Sequence, residues 1–148
     1  MPGKTDKFVK KYHAAVVMST KDQTEKLKAR IASEWVKDLE AELGGPILDE
    51  EEFRQKFQEF LAEELGFAGS AKVSIEGDEL HIQVEQCSIC HGNEMLRSRG
   101  EPMLCPILST GLLSISRVLK RNAELLGVEK PGPVGFCTIK YRLLKSKK

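Results

Sequence analysis

The chemistry available to this chain centres on its four cysteines. Cys87-Ser-Ile-Cys90 is followed directly by His91; fourteen residues separate Cys90 from Cys105, and thirty-one separate Cys105 from Cys137. A Cys-x-x-Cys pair can offer two thiolates to one ion from a single tight turn, and zinc prefers four ligands in a tetrahedron with sulfur at ~2.3 Å. The spacing points to one metal site built from Cys87, Cys90, Cys105 and Cys137, with His91 as the substitute fourth ligand should Cys137 lie elsewhere. Four protein thiolates would close a zinc site and make it structural, whereas three would leave a position open. The pattern is not the symmetric double knuckle of a zinc ribbon.

Other thiol chemistries fit the same residues. An iron–sulfur cluster could use the same four thiolates. Cys87-Ser-Ile-Cys90-His91 also has the form of a c-type haem attachment motif, although no export signal or sixth-ligand context accompanies it. A redox-active pair would need a helix N-terminus behind it to lower the thiol pKa. The segment Gly92 to Gly100 instead reads as a polar loop. Free buried cysteines are the plain alternative. Cys105, just before Pro106, stands at the start of an apolar helix, where the helix dipole favours thiolate. No Ser-His-Asp set, paired catalytic carboxylates or phosphate-binding glycine loop is present, and His13, His81 and His91 are the only histidines. An enzyme is therefore not the expected reading.

Helices and strands must bring these thiols together. Residues 5 to 43 read as helix with a break at Ser19-Thr20, and Leu27, Ile31, Trp35, Leu39 and Leu43 recur on one side of it. That stripe suits burial or a partner helix, including a second copy of the chain. Gly44-Gly45-Pro46 stops the helix. Asp49, with Glu52 three residues on, opens another. Its apolar face holds Phe53, Phe57, Phe60, Leu61 and Leu65, which are core residues or the wall of an apolar pocket. The period then changes from four to two: Val73 and Ile75, a Gly77-Asp78 turn, then Leu80, Ile82 and Val84 make a β-hairpin. Cys87 breaks that alternation by one residue, so the strand ends or bulges just before it. His81 falls on the polar face. From Pro106 to Leu126 the pattern is a long apolar helix capped by Gly127, and Cys137, Ile139, Tyr141 and Leu143 alternate as a final strand.

Composition sets the frame. The 148 residues suffice for one domain with a real core, and 41% hydrophobic with 30% charged residues is a globular balance. A net charge of +1 gives no global case for nucleic acid, and Lys145-Ser-Lys147-Lys148 reads as a solvated basic tail. No stretch approaches the ~20 apolar residues of a membrane span. Nor does a signal-peptide core follow Met1, so the expected location is a reducing cytoplasm, where cysteines favour metals over disulfides.

Residues 46 to 144 also carry a recognisable order: a helix ending in Leu65-Gly66, a Gly77-Asp78 hairpin, a strand ending in cysteines, Cys105-Pro106 opening an apolar helix, and a late Gly135-Phe136-Cys137 strand. This order resembles the 4-vinyl-reductase-type, or hydrocarbon-binding, domain family, whose fold is akin to the Bet-type subunits of the TRAPP tethering complex. The resemblance implies a strand-end cysteine (Cys87 or Cys90), a helix-opening cysteine (Cys105) and a final-strand cysteine (Cys137), with metal at these positions in some members. It implies binding of a small apolar molecule, or a scaffold role without ligand. The chain differs from the family pattern in having one final-strand cysteine where two are usual, and in keeping only Gly111 of the glycines in the helix after Cys105.

The resulting expectation is an α+β domain. N-terminal helices (residues 1 to 44) precede an antiparallel sheet with a hairpin and a C-terminal strand, and a long apolar helix packs on the sheet. The expected function is a zinc-containing sensor or binding protein for a small apolar ligand, with Phe53, Phe57, Phe60, Ile115 and Leu119 as candidate pocket residues. Neither nucleic acid nor membrane insertion enters this reading.

Overall fold

The computed structural model describes residues 4–101, 103–130 and 132–144. The basic tail Lys145 to Lys148 lies outside the described residues. The molecule is α+β, with helices against one face of a four-stranded antiparallel sheet.

Helix α1 runs Lys4–Ser19 and α2 runs Thr24–Leu43, separated by a short 3₁₀ turn where the sequence breaks at Ser19-Thr20. Gly44 ends α2 in the left-handed conformation, its N–H donating to the Glu40 carbonyl; glycine bears no Cβ penalty there. Asp49 caps α3 (Glu50–Glu59) by accepting from the Glu52 N–H at 2.8 Å, and a π-helical turn over Phe60–Leu65 follows, closed by Gly66. Strands β1 (Ala68–Glu76) and β2 (Glu79–Cys87) form the hairpin around Gly77-Asp78.

Two elements depart from the sequence expectation. The segment read as a polar loop is helix α4, Ser88–Ser98. Its buried positions are Gly92, Asn93 and Leu96, so small and polar residues occupy the packed side and hide the apolar period. The expected long helix from Pro106 to Leu126 is shorter. Helix α5 (Pro106–Ser114) continues as a π-helical turn to Leu119, Lys120 turns left-handed, and the chain enters strand β3 (Ala123–Glu129). Leu126 and Gly127 thus belong to a strand. Pairing with the last strand, β4 (Cys137–Leu143), decides this, since no glycine or proline stands between Leu119 and Gly127 to mark the break.

The sheet order is β1-β2-β4-β3. Leu80, Ile82 and Val84 from β2 and Cys137, Ile139, Tyr141 and Leu143 from β4 are buried on the inner face. The outer face is polar and carries the Lys140–Glu129 and Arg142–Glu124 ion pairs, the alternation expected of an antiparallel sheet wet on one side. Phe53, Phe57, Phe60, Leu61, Ile107, Ile115 and Leu119 close the main core above it. Helix α2 lies over α5, and Glu40 pairs with Arg117. A second, smaller core joins Ala14 and Val17 of α1 to Leu96 and Leu104, with Leu27 and Ile31 packed against it. Trp35 and Leu43 pack on the main core, so the α2 stripe is engaged within the chain.

Candidate metal centre

Each cysteine stands at the end of an element. The parity slip at the end of β2 is real: Gln86 adopts φ +56, which turns Cys87 inward after Val84. A non-glycine residue there is strained, and the hydrogen bonds of its neighbour hold it. The Cys87 N–H donates to the Gly135 carbonyl at 2.9 Å, and the Ser88 N–H to the Phe67 carbonyl at 3.1 Å. Cys87 is then the N-cap of α4, and Cys90 is the third residue of that helix. Cys105 is the N-cap of α5 with Pro106 at the first helical position, where proline's missing N–H costs nothing. Cys137 opens β4 directly opposite Val84.

The fold brings the four together. Cys137 and Cys87 are the nearest influences on the Cys90 thiol, the charge of Cys105 reaches Cys87 and Cys137, and that of Cys90 reaches Cys105. The hydrogen bond from Cys137, then that from Cys87, holds Cys90 well below the ordinary thiol range. The same bonds to Cys90, followed by burial, push Cys87 and Cys137 up. Burial raises Cys105, opposed by the Ile107 and Leu108 amides at the start of α5. All four cysteines are free of disulfides.

Among the described residues no group of three or more His, Cys, Asp or Glu is disposed to hold a metal ion as it stands. The donor set still fits a soft divalent metal. Sulfurs around a tetrahedral zinc stand about 3.8 Å apart, which is also a thiol–thiol hydrogen-bond separation. Cys137 is the largest influence on Cys90, whereas His91 acts on it only through its charge.

Three supporting residues escape a reading of the sequence. Asn93, buried one helical turn from Cys90, accepts from the Leu104 N–H at 2.9 Å and from His13 Nε2 at 2.9 Å. It ties the residue before Cys105 to α4 and α1. Lys130, in the loop after β3, acts through its charge on Cys90, Cys105 and Cys137. Tyr141 donates to the Leu108 carbonyl at 3.0 Å beneath the cluster, and Gly111 leaves the space for its hydroxyl. Only the glycine-proline loop around Lys130 and the lone Gly111 gave any signal in the sequence.

Cys90 also borders a cleft of about 250 Å³, shared with Glu94, Arg97, Lys130 and the Gly132–Phe136 loop. The candidate pocket residues lie apart from it. Phe53, Phe57, Phe60, Ile115 and Leu119 are buried in the main core, with Phe53 and Phe57 stacked at 5.3 Å between ring centroids. A larger groove of about 630 Å³ opens between α2 and α5, floored by Ala29, Ala32, Leu112, Leu113 and Ala123.

Compared with protein-family models, curated proteins and solved structures, the chain matches none.

Proposed function

We propose that this protein is a metal-containing binding or sensor protein in which Cys87, Cys90, Cys105 and Cys137 hold zinc or a similar soft divalent ion. The observation that carries this reading is the gathering of thiols from the ends of β2, α4 and β4 within mutual influence, with Cys105 at the start of α5 within electrostatic reach. A four-thiolate site is closed, so the metal's part is structural: it would pin the β2–α4 junction, the start of α5 and the start of β4 to one point. Lys130 offsets the negative charge that four thiolates bring. Free thiols in this number belong to a reducing compartment, which is the basis for placing the protein in the cytoplasm.

The ligand side of the proposal rests on the likeness to hydrocarbon-binding domains. With the phenylalanines packed as core, the α2–α5 groove is the better place for a small apolar molecule, since its size falls in the range of ligand pockets, about 300–1,000 Å³.

A second reading is favoured by one specific observation. The Cys-x-x-Cys does stand at a helix N-terminus, with Cys90 in the first turn of α4 and bordering an open cleft. That is the setting of a redox dithiol, or of an iron–sulfur protein using the same thiolates. Elemental analysis of protein purified without added metal, beside a visible spectrum, separates these. About one zinc per chain without colour supports the structural site. Iron with visible absorption moves the assignment to redox chemistry, and absence of metal after zinc reconstitution sinks the metal reading.

A further inference from the structure

The N-terminal helix turns an aromatic and basic face away from the rest of the molecule. Helix α1 packs through His13, Ala14 and Val17, with His13 reaching Asn93 of α4, and a Cβ at Gly92 of α4 would stand 3.1 Å from the Lys10 carbonyl. On the opposite side Phe8 is 65% exposed and Tyr12 61% exposed, their rings stacked with centroids 5.6 Å apart. Ala15 extends the line and Lys7 and Lys11 flank it, all exposed. None of the ion pairs among the described residues uses either lysine. The helix holds four lysines against one aspartate, a net +3 in a chain whose total is +1, so positive charge is concentrated at this end.

We propose that α1 docks the protein on an anionic lipid surface. The helix lies in the headgroup plane, Phe8 and Tyr12 reach the acyl boundary, and Lys7 and Lys11 meet the anionic headgroups. An apolar line beside a lysine-rich flank is what interfacial helices use, and aromatic rings favour that depth. The helix lies on the bilayer and does not cross it: among the described residues no helix is long and apolar enough to span one. A second copy is the weaker occupant. A two-fold contact through this face would set a +3 helix against itself, with one aspartate per copy to offset the repulsion.

The test is vesicle co-sedimentation of the full chain, comparing phosphatidylcholine vesicles with vesicles containing about 30% phosphatidylserine at roughly 0.1 M salt. The expected result is partitioning to the anionic vesicles at least about tenfold stronger, weakening as salt rises. Phe8→Ala/Tyr12→Ala and Lys7→Glu/Lys11→Glu should each lose about tenfold or more, with circular dichroism and melting unchanged because these side chains face solvent. Equal binding to both vesicle types, no binding, or binding that survives both double variants overturns the proposal. So does a concentration-dependent dimer that Phe8→Ala/Tyr12→Ala abolishes without any vesicle binding, which would assign the face to self-association.

Discussion

At the scale of single residues, the thiol cluster sets the protonation arithmetic. Cys90 is held as thiolate by hydrogen bonds from Cys137 and Cys87, while Cys87 and Cys137 are raised by that same thiolate and by burial, and Cys105 by burial. A raised thiol keeps its proton through neutral pH, so a metal binding all four must displace three protons. Affinity then rises with pH, by about a thousandfold per unit around neutrality. Chelator competition between roughly pH 6.5 and 7.5 measures that slope. A slope near zero would mean that the thiols are already ionised. Asn93 invites a second residue-scale test. Asn93→Ala strands the buried Leu104 N–H and should cost about 1–3 kcal/mol in denaturant unfolding. It should also weaken metal binding, because the segment leading to Cys105 loses its anchor.

At the scale of elements, α5 and β4 approach as closely as they do because position 111 has no side chain. A Cβ built there would stand 2.2 Å from the Tyr141 hydroxyl and 2.6 Å from its ring carbon. Gly111→Ala must push α5 off the sheet or break the Tyr141–Leu108 hydrogen bond. The expected loss is about 1–3 kcal/mol despite alanine's better helix propensity. Chemical denaturation checks it, and unchanged stability would show that α5 has room to shift. The same logic applies where α1 crosses α4. Gly92 faces the His13 ring and the Lys10 carbonyl, so the helix carrying Cys90 is held by close backbone packing and the His13–Asn93 hydrogen bond.

At the scale of the whole molecule, the proposed metal would join three elements far apart in sequence. An ion that binds only the folded chain stabilises it by about 2.7 kcal/mol at a hundredfold excess over Kd, a melting shift of roughly 5–11 °C for a domain of this size. Thermal melts with zinc and with chelator test this directly. An unmoved transition would show that metal contributes nothing to this fold.

Much of the molecule follows from local chemistry alone. Asp49 with Glu52, Gly44 and Gly66, the Gly77-Asp78 turn and the alternation in β1, β2 and β4 each act over a few residues, and each took its expected structure. Even the slip before Cys87 was visible, as a change of parity that Gln86 accommodates with a positive φ. Tertiary packing decided the rest. The segment Ser88–Ser98 is helical although glycine and asparagine line its buried side, because a close crossing with α1 selects small and hydrogen-bonding residues over apolar ones. The run beyond Leu119 is a strand because β4 offers it a ladder, although its apolar spacing suits a helix. The sequence identified the four thiols and their element ends. Their convergence depended on the register that sets Cys137 against Val84 and on the Gly135 contact at Cys87, relations between residues about fifty positions apart.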